Sequence, residues 1–527
     1  MYRILVSDPL EKTGLAMLRE SGHEVIEIAA EERASKLPEL IPGADALVVR
    51  SGTKVTAELL RAGSKLRVVG RAGIGVDNID TEAATELGIL VINAPTANLL
   101  AATEHTFALM LAVARNVAAA DSDVKSGQWN RKKWVGTELQ GKTLGVVGFG
   151  RIGRQVALRA RAFEMRVVAF DPFLDSDFVR RENAEPLLLD ELLAAADVVT
   201  LHVPLTDETR GILDARRIGL MKPEALLVNC ARGGVVDEDA LLSALESGHL
   251  KGVGLDVFAE EPPPDYTLAR HPRVVATPHL GAQTREAQVR ISTETAKMVL
   301  EALDGSLAVT AVNLPFRPAG LAGEPYLRLA EKQGLLASSL GPGNVKRISV
   351  EVRGVSAELG RPIAVAALKG ALTRYHGEGV NYVNAERVAR DRGLEVVQST
   401  ASDAADYPNL VEVRLEGEKG SFEVAGTVFQ DREPRIVRMQ SYLLEFVPKG
   451  TLLVLRNADV PGVVGKLGTI LGEAGVNIAA IHLSRGSADH EAVAVLRLDQ
   501  EPPEETIAVL RALPEVRSAT LVDVGPV

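Results

Sequence analysis

Gly148, Gly150 and Gly153 stand in the order GxGxxG, directly after the apolar run LGVV and directly before a helical pattern. No other feature constrains the chain as much, because a strand, a tight turn and a helix N-terminus give each glycine its work. The first permits the turn, the second lets a pyrophosphate approach the backbone, and the third lets helix and strand pack closely. The next strand-like run, RVVAF, leads into Asp171, 18 residues beyond Gly153. An acid there can accept hydrogen bonds from the adenosine ribose hydroxyls and repels a 2′-phosphate, which favours NAD over NADP.

The glycine turn opens the second of two α/β units. From Met1 to about Ala94 the runs YRILVSD, ALVVRS, RVVGRAG and ILVINA alternate with helical patterns, as parallel strands with crossover helices do. A long helical stretch follows from about Asn98 to Val117. The second unit begins near Gly141 and continues through RVVAFDP, DVVTLHVPL, ALLVNCARGG, GVGLDVF and RVVATPHLG, implying six or more parallel strands. A helical segment from about Thr284 to Leu303 then reaches a Pro- and Gly-rich boundary near residues 314–325. Beyond it, ISVEVRG, LVEVRLEG, SFEVAGTVFQ and RIVRMQ alternate like half-exposed strands and predict an antiparallel α+β region. From about Gly450 the order strand, helix, strand, strand, helix, strand is the split βαβ pattern.

Several functions are disfavoured by composition. With 527 residues the chain predicts about three or four domains. Its net charge of −11 repels phosphate backbones and anionic lipid, so neither nucleic acid nor a membrane is an expected partner. The most apolar stretch, HTFALMLAVARNVAAA, is broken by Arg115 well short of the ~20 residues a span needs. Cys230 is the single cysteine, which precludes an intramolecular disulfide and a thiolate metal cluster and suits a reducing cytoplasm. No metal is expected.

Three further residues fall at the ends of predicted strands, where open α/β sheets place their ligands: Arg232 in NCARGG, Glu261 in DVFAEEP and His279 in TPHLG. Removing hydride from a 2-hydroxy acid requires a base for the hydroxyl proton, a cation for the carboxylate and a group that steadies the base. Arg232 offers a bidentate fork, His279 a near-neutral base, and Glu261 a carboxylate to orient the imidazole. Taken singly, each is as readily an ordinary surface or structural side chain. In the first unit, Arg50, Ser51 and Lys54 in VRSGTKVT and Arg71 and Gly73 in GRAGIG could receive a phosphate or carboxylate.

The segments RAGIGVDNID, NAPTANLLAATEHT, GKTLGVVGFGRIG, VNCARGGVVDEDAL, LDVFAEEPP and TPHLGAQT closely resemble the D-isomer-specific 2-hydroxyacid dehydrogenases, in particular the long phosphoglycerate-oxidising branch, and the resemblance spans essentially the whole chain. It implies a catalytic trio of Arg232, Glu261 and His279. NAD contacts are implied at Ile74, Gly148, Gly150, Arg151, Ile152, Gly153, Asp171, His202, Val203, Pro204, Cys230, Ala231, Asp256, Gly281 and Ala282. Substrate contacts are implied at Arg50, Ser51, Lys54, Arg71 and Gly73, with Arg131 of WNRKKWVGTEL reaching a neighbouring subunit's cleft. The expected fold is two Rossmann-like parallel-sheet domains, then an α+β intervening domain and a C-terminal ferredoxin-like ACT domain. The corresponding division is 1–97 with 286–314 for substrate, 98–285 for NAD, 315–449 for the intervening domain and 450–527 for the ACT domain.

Within that last segment DVPG (Asp459 to Gly462) precedes a helix and GVNI (Gly475 to Ile478) follows it, so that Asp459 and Asn477 are the expected contacts of an amino-acid effector, L-serine by resemblance. Serine-sensing relatives commonly carry an aromatic or His two residues before that Asp; here Asn457 stands there. The expected reaction is NAD-dependent oxidation of 3-phosphoglycerate to 3-phosphohydroxypyruvate, the entry to serine synthesis, by a cytoplasmic homo-oligomer, a tetramer by resemblance. A side activity on 2-oxoglutarate, a glyoxylate or hydroxypyruvate reductase and an NAD-sensing corepressor-like binding protein remain open as alternatives.

Overall fold

The structure is a computed structural model describing residues 1–526 except 307–309, 317–319, 342, 404–405, 430–432 and 487–489, and except the side chains of 321 and 378. The first sheet contains β1 (Arg3–Val6), β2 (Glu24–Glu27), β3 (Ala46–Val49), β4 (Val68–Arg71) and β5 (Leu90–Asn93), all parallel, in the order β2-β1-β3-β4-β5. Alternate residues of these strands face opposite ways, and both faces are apolar. Leu5, Leu47, Val49, Val69 and Val91 form one core, while Ile4, Val6, Ala46, Val48, Val68 and Ile92 form another. That second face is closed by Ala296, Val299 and Leu303 of the distant helix Arg285–Leu303, which thus completes the first unit. The helix lies so close to helix Lys12–Glu20 that a Cβ on Gly14 would come within 2.2 Å of Ser292 Oγ.

The second sheet contains β6 (Thr143–Val147), β7 (Arg166–Phe170), β8 (Glu185–Pro186), β9 (Val198–Leu201), β10 (Ala225–Asn229), β11 (Leu250–Leu255) and β12 (Val274–Ala276). Its order, β12-β11-β10-β9-β6-β7-β8, is wholly parallel and reverses direction between β6 and β9. The connecting helix begins as expected but is shorter. It runs Leu99–Ala114, Asn116 turns to a left-handed φ of 53°, and a separate helix, Val117–Lys125, follows. Asn tolerates that conformation better than most side chains, so the polar residue after the apolar run sets the break.

The third sheet contains β13 (Val345–Arg353), β14 (Glu395–Ala401), β15 (Leu410–Gly417), β16 (Gly420–Val428), β17 (Pro434–Met439) and β18 (Tyr442–Phe446), in the order β14-β13-β15-β16-β17-β18. It is mixed rather than antiparallel: β14 pairs in parallel with β13, because helices Gly360–His376 and Ala385–Asp391 carry the chain back across the sheet before β14 begins. The alternation of single strands cannot show this. Residues 317–319, inside the boundary expected near 314–325, lie outside the described residues; helix Gly320–Leu340 starts within that boundary.

The fourth sheet follows the expected split βαβ pattern, with β19 (Thr451–Ala458), β20 (Ile478–Arg485), β21 (Glu491–Leu498) and β22 (Val516–Asp523) in the order β20-β21-β19-β22. One face carries helices Val463–Glu473 and Glu504–Ala512. The other face is not free: Leu452, Val454, Val493, Val495, Val522 and Val524 share one continuous core with the third sheet. Lys332 pins the junction. It is 7% exposed and donates to Pro448 O at 2.7 Å and to Pro526 O at 2.5 Å.

The third unit also grips the first. Asn381 Nδ2 donates to Gly88 O at 2.6 Å and Arg387 pairs with Glu86 at 2.6 Å. Just before the third unit begins, Asn313 of the first unit accepts from Val91 N and donates to Ile89 O. No helix among the described residues is long and apolar enough to cross a membrane.

Burial pushes Lys332 down to about 8, so the folded chain binds its proton less tightly than the unfolded chain does. The resulting stability is fully present above the unfolded value near 10.5 and is lost as pH falls from there through 8. Chemical denaturation across that window should show wild type gaining stability with pH relative to Lys332→Met, by no more than ~3.5 kcal/mol at ~1.4 kcal/mol per pKa unit.

Candidate active site

Every residue expected to touch NAD in the second unit lies beyond the C-terminal end of a strand of its sheet. Gly148 to Gly153 follow β6, Asp171 follows β7, His202 to Pro204 follow β9, Cys230 and Ala231 follow β10, Asp256 follows β11, and Gly281 and Ala282 follow β12. The sheet reverses between β6 and β9, the crevice where open α/β sheets bind ligands. Gly148 adopts φ 90°, and a Cβ there would lie 2.7 Å from the His202 backbone. A Cβ on Gly153 would lie 2.2 Å from Gly148 O, whereas Gly150 faces open space at the start of helix Arg151–Ala162. The turn therefore presents backbone N–H groups and helix dipole to an anion with nothing in the way. Asp171 is steered to the same turn, accepting from Phe149 N and Phe173 N, each at 3.0 Å. Burial pushes the neighbouring His202 imidazole down to about 3, so it is neutral here. These groups fit a dinucleotide diphosphate and its ribose.

His279 and Glu261 meet. His279 Nδ1 lies 2.7 Å from Glu261 Oε2, while Glu261 Oε1 accepts from Phe258 N at 3.2 Å. Burial works against the Glu261 charge, but the hydrogen bond and charge of His279 outweigh it and hold the carboxyl below its usual range. His279 has a left-handed φ of 54°, uncommon for a residue with a side chain. The loop that imposes it wraps a buried carboxylate. Asp256 accepts from Leu280 N at 2.7 Å and Gly281 N at 2.8 Å, and its own carbonyl receives His279 N at 2.9 Å.

Beyond the end of β10, Arg232 reaches across the cleft, donating through Nε to Asp77 Oδ2 at 2.9 Å, and donates through Nη1 to Ala231 O at 2.7 Å. Asp77 belongs to the first unit, so this ion pair ties the two parallel-sheet units together. Arg71 lies close by; burial, then the neighbouring Arg232 and Arg50 charges, push it down to about 10. Its buried Nε has no hydrogen-bond partner. Three guanidinium groups thus lie together near two carboxylates, Asp77 and Asp8, of which Asp8 is already paired with Arg33, and the surplus of positive charge suits an anionic ligand. The loop carrying Arg50, Ser51 and Lys54 is held from behind: Asp8 accepts Arg50 N at 2.7 Å, Arg33 bonds Asp8 and Gly52 O, and Asn78 Nδ2 donates to Arg50 O and Thr53 O. Ile74 is fixed beside Gly73 by Asn93, which donates to Ile74 O.

Sequence reasoning passed over Asp77, Asp8, Arg33, Asn78, His105 and Thr277. Asp77 and Asn78 lie inside the quoted motif RAGIGVDNID, but no spacing rule marks them, since their partners are up to 155 residues away. Arg131 is exposed beside Trp129, which is 78% exposed, and lies in none of the clusters just described.

In the fourth sheet Asp459 follows β19 at the end where Ala458 pairs with Glu491, whereas Asn477 precedes β20 at the end where Ile478 pairs with Leu498. The length of β21 separates them, about 20 Å at ~3.3 Å per residue, so one chain cannot bring both to one small ligand. Asp459 pairs with Arg485 at 3.3 Å and Asn477 with Asp499. Asn457 is buried, and its Oδ1 has no hydrogen-bond partner.

Comparison with known proteins bears on this geometry. The family described as D-isomer specific 2-hydroxyacid dehydrogenase, NAD binding domain, matches residues 107–281; the D-3-phosphoglycerate dehydrogenase intervening domain matches 323–440, and the ACT domain matches 451–515. The chain is 41% identical to D-3-phosphoglycerate dehydrogenase from Methanocaldococcus jannaschii, over 99% of this chain and 100% of that one. It is also 41% identical to the enzyme of that name from Bacillus subtilis, again over 99% and 100%. Among solved structures it resembles a glyoxylate reductase from Paecilomyes thermophila at TM-score 0.55 and 31% identity, covering 59% of this chain and 98% of that one. D-lactate dehydrogenase from Aquifex aeolicus, complexed with NAD and lactic acid, gives TM-score 0.52 at 31% identity, covering 57% and 96%.

Cys230 sits against this site, where burial, then the Asp256 charge, push its thiol up to about 12. Near pH 8 its thiolate fraction is therefore well below that of an unperturbed thiol. Titration with a disulfide reagent should find Cys230 unreactive over minutes in the folded protein and immediately reactive in denaturant; prompt reaction of the folded chain would contradict the assignment.

Proposed function

The chain belongs to the D-3-phosphoglycerate dehydrogenases, NAD-dependent members of the D-isomer-specific 2-hydroxyacid dehydrogenase family, and on that premise we propose that it oxidises 3-phospho-D-glycerate to 3-phosphohydroxypyruvate as the first step of L-serine synthesis. Two observations support the reading: the His279–Glu261 couple and the neighbouring charges of Arg50, Arg71 and Arg232, with the loop after Arg232 packed so closely on Phe258 that a Cβ on Gly233 would lie 1.7 Å from its carbonyl oxygen. NAD, when bound, supplies the acceptor for the C2 hydride.

The remaining work falls to side chains. His279 Nδ1 is engaged by Glu261, so Nε2 is the nitrogen with a lone pair free to take the C2 hydroxyl proton, and the Glu261 carboxylate stabilises the imidazolium that forms. Arg232 retains N–H groups beyond those given to Asp77 and Ala231, and these hold the substrate carboxylate and polarise the C2 oxygen. Arg50, Ser51, Lys54 and Arg71 receive the phosphate beside Gly73, whose lack of a Cβ leaves room for the Arg71 guanidinium, and the phosphate charge offsets the surplus of guanidinium groups. Ile74, Gly148, Gly150, Arg151, Ile152, Gly153, Asp171, His202, Val203, Pro204, Cys230, Ala231, Asp256, Gly281 and Ala282 hold the cofactor. In this scheme residues 1–97 with 286–314 bind substrate and 98–285 bind NAD, while 315–449 and 450–527 regulate and assemble. Exposed Trp129 and Val135 flank Arg131 on a face suited to another subunit, and from it Arg131 reaches that subunit's cleft in a homotetramer. The protein works in the cytoplasm, with L-serine as effector. Because Asp459 and Asn477 stand at opposite ends of β21, L-serine would be held by Asp459 of one copy and Asn477 of another.

A steady-state assay of NAD reduction and its reverse tests the reading. 3-Phosphoglycerate and phosphohydroxypyruvate should outperform unphosphorylated glycerate, hydroxypyruvate and glyoxylate by at least ~100-fold in kcat/KM, and millimolar L-serine should lower turnover. Preference for glyoxylate would overturn the substrate assignment. His279→Ala should lower kcat by about 10² to 10⁴-fold with NADH binding nearly unchanged, and a variant within threefold of wild type would place the base elsewhere.

A further inference from the structure

The chain passes from the first unit to the second along helix Leu99–Ala114, and one side chain of that helix, His105, reaches the buried carboxylate around which the His279 loop is wrapped. His105 Nε2 lies 3.0 Å from Asp256 Oδ1 and 3.0 Å from Thr277 Oγ1. Thr277 Oγ1 in turn donates to Asp256 Oδ1 at 2.6 Å. An ionised carboxylate only accepts, so Nε2 of His105 carries the proton. Asp256 is 1% exposed and replaces its lost hydration with these two side chains and the N–H groups of Leu280 and Gly281. If one donor is removed, the carboxylate must either recruit another or release the backbone that surrounds it.

That backbone is where the base is aimed. His279 holds its left-handed conformation because Asp256 O receives its own N–H and the Asp256 carboxylate receives the two N–H groups that follow. We infer that His105 is a positioning residue for the reaction: from the helix that joins the two parallel-sheet units it fixes Asp256 and, through Asp256, the orientation in which His279 is presented to the cleft. The inference rests on the proposed role of His279 as the base. It gives the connecting helix a role beyond linking the units, since a shift of that helix relative to the second sheet is transmitted to the loop bearing His279.

The test compares His105→Phe, which keeps the volume and removes the donor, with His105→Gln, whose Nε2 occupies nearly the place of the imidazole Nε2 and still donates. Circular dichroism melting and NADH fluorescence titration establish that each variant is folded and count its competent sites. His105→Phe should lose at least ~10-fold in kcat per NADH-binding site with KM for 3-phosphoglycerate within about threefold, and His105→Gln should recover to within ~3-fold of wild-type kcat. A kcat per site unchanged in His105→Phe, or equally low in a folded His105→Gln, overturns the inference. His279→Ala run alongside separates the two readings: if it stays active, the base assignment falls and takes this inference with it. If it is inactive while His105→Phe turns over normally, only the positioning role falls.

Discussion

A parallel sheet has two apolar faces, and a chain that builds one must cover both. In the first unit Leu15 and Leu18 of helix Lys12–Glu20 begin the second cover, which is completed only after the chain has left, formed the whole second sheet and returned as helix Arg285–Leu303. Two crossings therefore join the units, Leu99–Ala114 outward and Arg285–Leu303 back. The cleft between them is where the strand ends of the second unit face the loops of the first. Arg232 reaches Asp77, and His105 on the outward crossing reaches Asp256. The arrangement of the site follows from how the first sheet obtains its second layer.

Electrostatics then specify what the cleft accepts. Burial depresses Arg71, the nearby Arg232 and Arg50 charges add to this, and Asp77 with the Arg33-paired Asp8 does not balance them. Maintaining such a cluster without a ligand is unfavourable, and an anionic ligand relieves it. The opposite treatment is given to Glu261 and Asp256. Each is partly or wholly removed from water, yet each is supplied with enough donors to remain charged.

The last two sheets are one body in packing terms. Their shared core, with Lys332 bridging Pro448 and Pro526, means that a displacement of the fourth sheet is passed to the third. The third sheet's unit in turn holds Glu86 and Gly88, at the far end of helix Thr81–Glu86, whose near end follows directly on Asp77 and Asn78. Those two residues hold Arg232 and the Arg50 loop. A continuous set of contacts therefore runs from the fourth sheet to the cleft.

Local chemistry was legible in the sequence wherever one segment is self-sufficient. Gly148, Gly150 and Gly153 could be assigned their tasks because a strand, turn and helix suffice to require them, and the split βαβ order of the final segment follows from periodicity alone. Arg232, Glu261 and His279 could be singled out as strand-end residues of suitable chemistry, but that His279 and Glu261 lie within hydrogen-bonding distance is a tertiary fact. The parallel pairing of β13 with β14 was not legible, since alternation reports which face a residue occupies and not the direction of its neighbour. Nor were Asp77 and His105, which act on partners more than 150 residues away. Sequence determined which groups the chain has to offer, because conformational preference and side-chain chemistry are local. Only the tertiary structure decided which of them meet, because hydrogen bonds and ion pairs require angstrom-scale proximity that sequence separation does not encode.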